Sequence, residues 1–398
     1  MKKKLFPLLF ILLLPFSSTA FSQEVAGRNP ILLNDPAMQT ESMEAVNNLY
    51  NYNFEQADVQ FRYFKLKYPT HPLPYFLLGL SEWWKIMPEP ETEKYDEKFL
   101  AYMDTAATMA ERMYDKNSED TEAAFFLAAA YGFKGRLHAE RKNWRRAALA
   151  GKSSLKYLDK FKNKEGLSIE FLFGDALYNY YREWIPENYK SLKPILVFFD
   201  RGDKKKGMEQ LIQVSRNAFY TRTEAQVFLM RIYDDEKKPL ESFQTAKYLY
   251  DTYPDNPYFH RYYARATYSV GQFEEAEKLS LEILSRVEKG SFGYEATSGR
   301  YASYYLGYIY NYTYNKKDLE KAKTYYKKAV AYAEQGKAFE SGYYHAALAA
   351  LARMYVKENK PGEAKKYYET LLEKTEKKSD LHKEAEKFIK EYKKRGKK

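Results

Sequence analysis

The sequence predicts an all-α protein, a solenoid of antiparallel helix pairs, because small residues recur at one spacing along the chain. Ala264 and Ala276 are 12 residues apart, on either side of a tight turn at Gly271. The corresponding pairs elsewhere are Ala45 and Ala57, Gly135 and Ala147, and Ala352 and Ala364, and Met230 and Ser242 keep the spacing with a larger first residue. From Ser242 to Ala276 is 34 residues, the length of one repeat. Small residues let two helix backbones approach to roughly 8–10 Å, and a fixed period of this length is typical of stacked helical repeats.

This pattern resembles the tetratricopeptide repeat (TPR) family, in which small residues lie where two helices touch and a proline follows the second helix. Here Tyr68 and Pro69 follow the helical pattern that starts at Phe54, and Tyr253 and Pro254 end the next comparable segment. The resemblance implies a right-handed α-solenoid whose first helices line a concave surface. It also implies that proteins or peptides bind to that surface.

Residues 1–22 have the composition of a secretory signal peptide. Lysines at 2–4 precede the apolar run 5–14, and small residues follow, which is the typical order of such peptides. We expect cleavage after residue 22, with the bond after Ala20 as the alternative, and an extended segment at 23–38. No later run reaches the roughly 20 apolar residues of a membrane helix. The mature protein should therefore be exported, to the periplasm or to the medium, without a transmembrane segment.

The rest of the chain divides by the regularity of its repeats. We expect N-terminal TPR-like helix pairs at 39–160, an irregular helical insert at 161–221, a C-terminal TPR array at 222–378, and a basic capping helix and tail at 379–398. The insert lies between Ala147 and Ser242, which are 95 positions apart and enclose no clean repeat. Apolar residues at helical spacing up to Trp184 still predict a helix there, ending at Pro186.

Two departures from the regular repeat lead to specific expectations. Gly307 and Ala322 are 15 residues apart instead of 12, which predicts a longer turn at 311–318. The C-terminal segment shows an amphipathic helical pattern, and end repeats need a solvated outer face. The residues expected to face inward are Leu381, Ala385, Phe388, Ile389 and Tyr392.

The middle of the chain contains two further motifs. The apolar run 194–199, Gly202 with Asp203, and the segment 207–211 resemble the central part of a eukaryotic TPR family associated with inclusion-body clearance. We take this resemblance only as support for a continuous helical array. Arg201 completes an Arg-Gly-Asp adhesion tripeptide, but Asp203 is better interpreted as the N-cap of a following helix.

The charge distribution argues against nucleic acid as a partner. The chain has 65 basic and 54 acidic residues. Residues 2–4 and 360–398 contribute most of the positive excess, since the latter segment contains 14 basic and 8 acidic residues. A nucleic-acid interface needs basic residues clustered over its binding face. The basic end could touch an anionic surface, but cations also suit the C-terminus of a helix.

The sequence contains no pattern that indicates catalysis, a cofactor or a metal site. It has no cysteine, and its five histidines lie in five different segments without a metal-binding spacing. No phosphate-binding glycine loop or nucleophile elbow is present. We therefore expect no enzyme activity. A pocket in the insert with converging carboxylates, or with a histidine beside an acid, would favour the enzyme alternative.

Forty tyrosines are the unusual feature of the composition. If the TPR register holds, positions of the first helices that line the concave surface are mostly tyrosine and arginine, the residue types enriched at binding hot spots. They are Arg136, Arg231, Tyr258, Arg261, Arg265, Tyr268, Tyr301, Tyr304, Tyr308 and Tyr312. The alternative is that many tyrosines pack between repeats with their hydroxyls reaching water. The adjacent Trp83 and Trp84 could present aromatic rings to a ligand, but both cannot face one groove of a helix, so at least one should pack inward or lie at a rim.

These observations predict a non-enzymatic, exported TPR scaffold that binds a protein or peptide of the cell envelope through its concave face. The alternative is a glycan-binding helical-repeat module, in which aromatic faces stack on sugar rings. Flat aromatic platforms with neighbouring amides and acids would favour a glycan, whereas a wall of tyrosine and arginine would favour a peptide. The oligomeric state stays open.

Overall fold

The structure is a computed structural model that describes residues 32–160, 168–190, 193 and 200–395. The predicted signal peptide lies outside the described residues, as does most of the segment 23–38. The described residues form 17 α-helices and no strand. In chain order these are α1 (Pro36–Tyr50), α2 (Phe54–Lys67), α3 (Pro72–Ile86), α4 (Asp96–Lys116), α5 (Thr121–Glu140), α6 (Trp144–Leu158), α7 (Ile169–Asn188), α8 (Lys204–Asn217), α9 (Arg222–Asp235), α10 (Pro239–Thr252), α11 (Pro257–Ser269), α12 (Phe273–Glu288), α13 (Ala296–Tyr312), α14 (Leu319–Gln335), α15 (Gly342–Lys357), α16 (Pro361–Lys374) and α17 (Asp380–Arg395).

Helices α1 to α16 form consecutive pairs, which confirms the predicted all-α solenoid. Each odd-numbered helix packs against the even-numbered helix that follows it, and each pair packs against the next. Odd-numbered helices of neighbouring pairs also contact each other: α3 contacts α5, and α13 contacts α15. None of the helices in the described part of the chain is long and apolar enough to cross a membrane.

Most of the small residues that predicted the pairs are buried at the helix contacts, whereas Gly135 and Ala147 are half-buried. Ala45, Ala57, Ala264 and Ala276 have no exposed surface. Gly271 has a φ of +79° in the turn between α11 and α12, a backbone conformation that glycine adopts without steric cost. The turn thus reverses the chain within three residues, as the spacing predicted.

A longer turn is present as predicted, but it spans 313–318 instead of 311–318 because α13 continues to Tyr312. It contains a short 3₁₀ helix, Tyr314–Lys316. The two helices that it joins are held very close, since a Cβ atom at Gly307 would lie 2.6 Å from the ring of Tyr326. A glycine here therefore makes room for an aromatic ring of α14.

The described part of the insert is more regular than predicted, because α7 and α8 form a helix pair of their own. The contact depends on Gly207, where a Cβ atom would lie 2.6 Å from the backbone nitrogen of Tyr180. Helix α7 does not end at Pro186 as predicted. It continues to Asn188, since a proline in the last turn removes only one helical hydrogen bond. Asp203 caps α8 as predicted, because its Oδ1 accepts from the Lys206 N–H at 2.9 Å.

Both ends of the solenoid are closed by packed segments. Helix α1 begins at Pro36, earlier than the predicted end of the extended segment 23–38, because Asp35 caps it. At the other end, α17 packs on α16. Ala385 and Ile389 are buried there, and Leu381, Phe388 and Tyr392 are half-buried, as predicted for a capping helix.

The N-terminal pairs also contact helices that lie more than 130 residues further along the chain. The side-chain amide of Asn256 donates to the Tyr50 carbonyl at 2.7 Å. The Trp84 ring contacts the ring of Phe259, with centroids 5.2 Å apart. Beside them, the Thr297 N–H donates to Glu89 at 3.0 Å. We call these contacts the closing seam, because they join α1, α3 and the segment after α3 to α11 and α13.

Candidate functional site

The ten residues predicted to line one concave surface fall into three places. Tyr258 and Arg261 are buried in the closing seam. Arg136 and Arg231 line an internal cavity. The others lie on α11 and α13, where the rings of their tyrosines contact one another. They are Arg265, Tyr268, Tyr301, Tyr304, Tyr308 and Tyr312.

Arg261 is bound by the chain itself. Its Nη1 donates to the Pro88 carbonyl at 2.8 Å and to the Ser298 hydroxyl at 3.1 Å. Its guanidinium also lies over the rings of Tyr258 and Tyr301, at 5.5 and 5.7 Å from their centroids. Contacts of this kind between a cation and an aromatic face are attractive. Arg261 and Tyr258 therefore stabilise the closing seam and are not open to a partner.

The remaining tyrosines form a continuous group with Tyr343 of α15, which we call the tyrosine surface. The rings of Tyr304 and Tyr343 are 4.7 Å apart, and those of Tyr308 and Tyr312 are 4.8 Å apart. Tyr312 is 55% exposed, whereas Tyr301, Tyr304 and Tyr308 are half-buried. Burial raises the pKa of Tyr304, so its hydroxyl stays protonated and can donate at neutral pH.

Arg265 gives this surface a charged edge. It forms an ion pair with Asp234 of α9, and its guanidinium lies 5.8 Å from the centroid of Tyr262. Both members of the pair remain about one quarter exposed. An arginine held in this way presents a planar donor group beside aromatic rings, an arrangement suited to carbonyl and carboxylate groups.

The internal cavity has a volume of about 550 Å³. It is lined mainly by α1, α3, α5, α7 and α9, the odd-numbered helices of the first five pairs, with α6 completing one side. The closing seam is continued here by a contact between α3 and α9, since the Trp84 Nε1–H donates to Glu224 at 2.8 Å. The cavity is therefore the inner space of the N-terminal half of the solenoid.

One polar cluster interrupts the apolar lining. An Nη1 of Arg136 lies 3.9 Å from Glu224, and the Arg136 guanidinium lies over the ring of Trp83 at 4.5 Å. Burial raises the pKa of Glu224, although Arg136 and the hydrogen bonds from Trp84 and Tyr50 oppose the rise. Burial, and next the positive charge of Arg231, lower the pKa of Arg136. The cluster thus places two guanidiniums and one carboxylate in a poorly solvated place.

Other buried acids hold the backbone together. Glu170 accepts from the N–H groups of Tyr220 and Thr221. Glu122 accepts from the Leu33 N–H at 2.8 Å and lies 3.3 Å from His71, which itself caps α3. These acids fix loops and termini. In the described ranges no group of three or more His, Asp or Glu could hold a metal ion.

The sequence did not indicate the roles of Trp84 and Glu224. Trp83 and Trp84 are both buried, but on different sides: the Trp83 ring contacts Phe99 of α4, whereas Trp84 contacts Glu224 across the seam. In the sequence, Glu224 is an acid in the first turn of a helix. Acids are common there because they interact favourably with the helix dipole, so this position does not indicate a special role. Its long-range partners left no local trace.

Comparisons with known proteins identify no family. No family model matches the sequence, and no curated protein matches it. Among solved structures, the chain is similar to the human IFIT1 dimer with PPP-AAAA (14% identity, 81% of this chain and 69% of that chain, TM-score 0.41). It is also similar to yeast Tom70 (13%, 91% and 85%, 0.39) and to the TPR domain of P58(IPK) (13%, 89% and 99%, 0.23). Since these TM-scores are below 0.5, the arrangement of helix pairs stands on the chain's own contacts.

Proposed function

We propose that the protein is a non-enzymatic helical-repeat scaffold that binds a protein or peptide through the tyrosine surface. The observation that supports this proposal most is the continuous ring contact of Tyr301, Tyr304 and Tyr343 across two neighbouring pairs. Rigid aromatic rings with polar tips bury large areas at a low cost in side-chain entropy. An extended peptide along α11, α13 and α15 would contact them in succession.

The geometry of the rings favours a peptide over a glycan. The rings of Tyr268 and Tyr308 are inclined by 89°, and those of Tyr301 and Tyr343 by 61°. Sugar rings stack on flat aromatic faces, and neighbouring tyrosines that meet edge to face do not form one flat platform. A peptide can instead place side chains between inclined rings and hydrogen-bond to the hydroxyls and to Arg265.

The proposed location is the cell envelope, and it depends on the signal-peptide composition of residues 1–22. The partner would then be a protein or peptide of the periplasm or of the cell exterior. Fusion of residues 1–31 to a reporter that is active only after export tests this part separately. A reporter that stays inactive inside the cytoplasm would contradict it.

Site-specific photo-crosslinking tests the binding surface. A photoreactive phenylalanine analogue replaces Tyr312, and the matched control places it at Tyr248 of α10, because these tyrosines are 55% and 51% exposed. We expect an envelope protein to be crosslinked at position 312 and not at 248, and Tyr308→Ala to reduce the yield at 312. Identical adducts at both positions, or no protein adduct at 312, would refute the assignment, and retention of polysaccharide alone would favour the glycan module.

A further inference from the structure

We propose that the internal cavity binds an apolar molecule with one carboxylate group, a long-chain fatty acid. The cavity has a volume of about 550 Å³ and opens to solvent at a rim that includes the exposed Gly132 and Glu140. An apolar cavity of about 150 Å³ already holds benzene, and pockets of about 300–1,000 Å³ are usual for small-molecule ligands. The cavity therefore has room for an alkyl chain.

The lining fits an alkyl chain over most of its extent. Phe76 and Leu80 of α3, Phe125 of α5, and Leu177 and Trp184 of α7 all face it. Aromatic and branched side chains on several different helices provide dispersion contacts along a chain without fixing one rigid shape. Of these five side chains only Trp184 can form a hydrogen bond, through its indole N–H, so they offer few partners to the hydroxyls of a sugar or to the backbone of a peptide.

The polar groups of the remaining lining are mostly occupied. The Ser154 hydroxyl donates to the Ala128 carbonyl at 2.7 Å, and the Thr221 hydroxyl donates to Glu170 at 2.7 Å. Glu224 accepts from Trp84 and Tyr50 and faces Arg136. These polar groups therefore have partners within the chain, and few of them are available to bind a polar ligand.

Arg231 is the exception. Among the described residues, no carboxylate lies within 4.0 Å of its guanidinium, and no hydrogen bond joins it to another side chain. Glu140, at the rim of the cavity, and Asp235, one turn further along α9, interact with Arg231 from a greater distance, and both are exposed, so water screens their charges. Arg136 is close enough to Arg231 to be affected by its charge. Arg136 and Arg231 therefore share one buried carboxylate, Glu224, and a ligand carboxylate would match the excess positive charge of this cluster and the planar geometry of the guanidinium.

This site is independent of the proposed function. The cavity is lined mainly by α1, α3, α5, α7 and α9, whereas the tyrosine surface lies on α11, α13 and α15. A protein that binds fatty acid without a peptide partner, or the reverse, would separate the two proposals.

A fluorescence displacement assay tests the proposal. The full mature chain is first stripped of bound lipid by apolar chromatography and then loaded with 11-(dansylamino)undecanoic acid. Oleate, oleyl alcohol and oleylamine compete for the probe. These compounds share one chain and differ only in the head group. We expect oleate to displace half of the probe at a concentration at least tenfold lower than oleyl alcohol does, and oleylamine to be the weakest competitor.

Three variants define what the result means. Arg231→Gln should weaken the binding of oleate at least tenfold and leave the binding of oleyl alcohol unchanged. The matched control is Arg145→Gln, because Arg145 is exposed and does not line the cavity. Ala129→Phe fills part of the cavity and should weaken all three compounds. Arg231→Gln leaves the contact between Arg136 and Glu224 in place, so its fold, checked by circular dichroism, should be unchanged.

Three results would overturn the proposal. The first is that the stripped protein binds no probe. The second is equal binding of oleate and oleyl alcohol with no effect of Arg231→Gln, which would indicate an apolar void without a carboxylate site. The third concerns residues 194–199, an apolar run outside the described residues. If the probe binds only when Ile195, Val197 and Phe199 are changed to serine, the chain itself occupies the cavity.

Discussion

Replacement of Arg261 by methionine tests whether the closing seam holds the two halves of the solenoid together. The substitution keeps the apolar length of the side chain but removes its donors to the Pro88 carbonyl and the Ser298 hydroxyl. It also removes the positive charge that lies over Tyr258 and Tyr301. Because Arg261 is only 5% exposed, water cannot easily replace it at the groups that it leaves behind.

The magnitude follows from the interactions that the substitution removes. A hydrogen bond from a charged donor contributes about 1.5–3 kcal/mol to folding, and a partly desolvated cation–π interaction contributes about 0.5–2 kcal/mol. Methionine recovers part of the lost free energy because it buries an apolar side chain in the same place. We therefore expect Arg261→Met to lower the free energy of unfolding by about 2–4 kcal/mol, with much of the effect at the seam.

Hydrogen exchange measured by mass spectrometry gives the local readout. The Thr297 N–H is bound by Glu89 across the seam, so its protection should fall in the variant while that of α16 changes little. The matched control is Arg265→Met on the same helix. Arg265 is about one quarter exposed and forms an ion pair with Asp234, so its replacement should cost less than about 1 kcal/mol. Unchanged protection around Thr297, or an equal effect of the control, would refute the seam.

Three further changes test the packing elsewhere. Gly307→Ala should lower the free energy of unfolding, measured with urea, by about 1–2 kcal/mol, since its Cβ would lie 2.6 Å from the buried ring of Tyr326. The control Gly151→Ala, whose Cβ would have no atom within 4 Å, should raise it slightly. Burial, and then the charge of Arg286, lower the pKa of His260 to about 4. The neutral imidazole therefore contributes its full stabilisation above about pH 6.5, and the free energy of unfolding should fall by about 3 kcal/mol as the pH is lowered towards 4. His260→Phe should remove this pH dependence. Deletion of residues 379–398 should lower the melting temperature, because it exposes the face of α16 that α17 covers, and an unchanged transition would contradict the capping role.

The helix pairs could be predicted because their cause is local. Two backbones approach closely only where small residues face each other, and Ala264 with Ala276 shows this at a fixed spacing. The pair of α3 and α4 has no such spacing because a longer connection joins them, and the pair of α7 and α8 meets through Gly207 after a long connection. A search at the 12-residue spacing therefore finds only those pairs whose turns are short.

The closing seam could not be predicted from the sequence. Its contacts join residues such as Trp84 and Glu224, which are 140 positions apart, and each lies in a segment whose local pattern is that of an ordinary helix. The predicted concave positions were derived for an open surface, in which Arg136, Arg261 and Arg265 are equivalent. The seam makes them different, since it encloses the first, buries the second and leaves the third partly exposed.

The seam also gives a physical reason for the two kinds of environment along the inner side of the chain. Where α1 and α3 contact α11, the arginine is buried and binds groups of the chain itself, as Arg261 does with the Pro88 carbonyl and the Ser298 hydroxyl. Beyond the seam, the residues of the tyrosine surface on α13 and α15 are only partly covered, and Tyr312 is the most exposed of them. Arg261 touches both sides, because its guanidinium lies between Tyr258 of the seam and Tyr301 of the tyrosine surface. A change that opens the seam would therefore also release Tyr301, so binding at either place should be compared in the Arg261→Met variant before it is ascribed to that place alone.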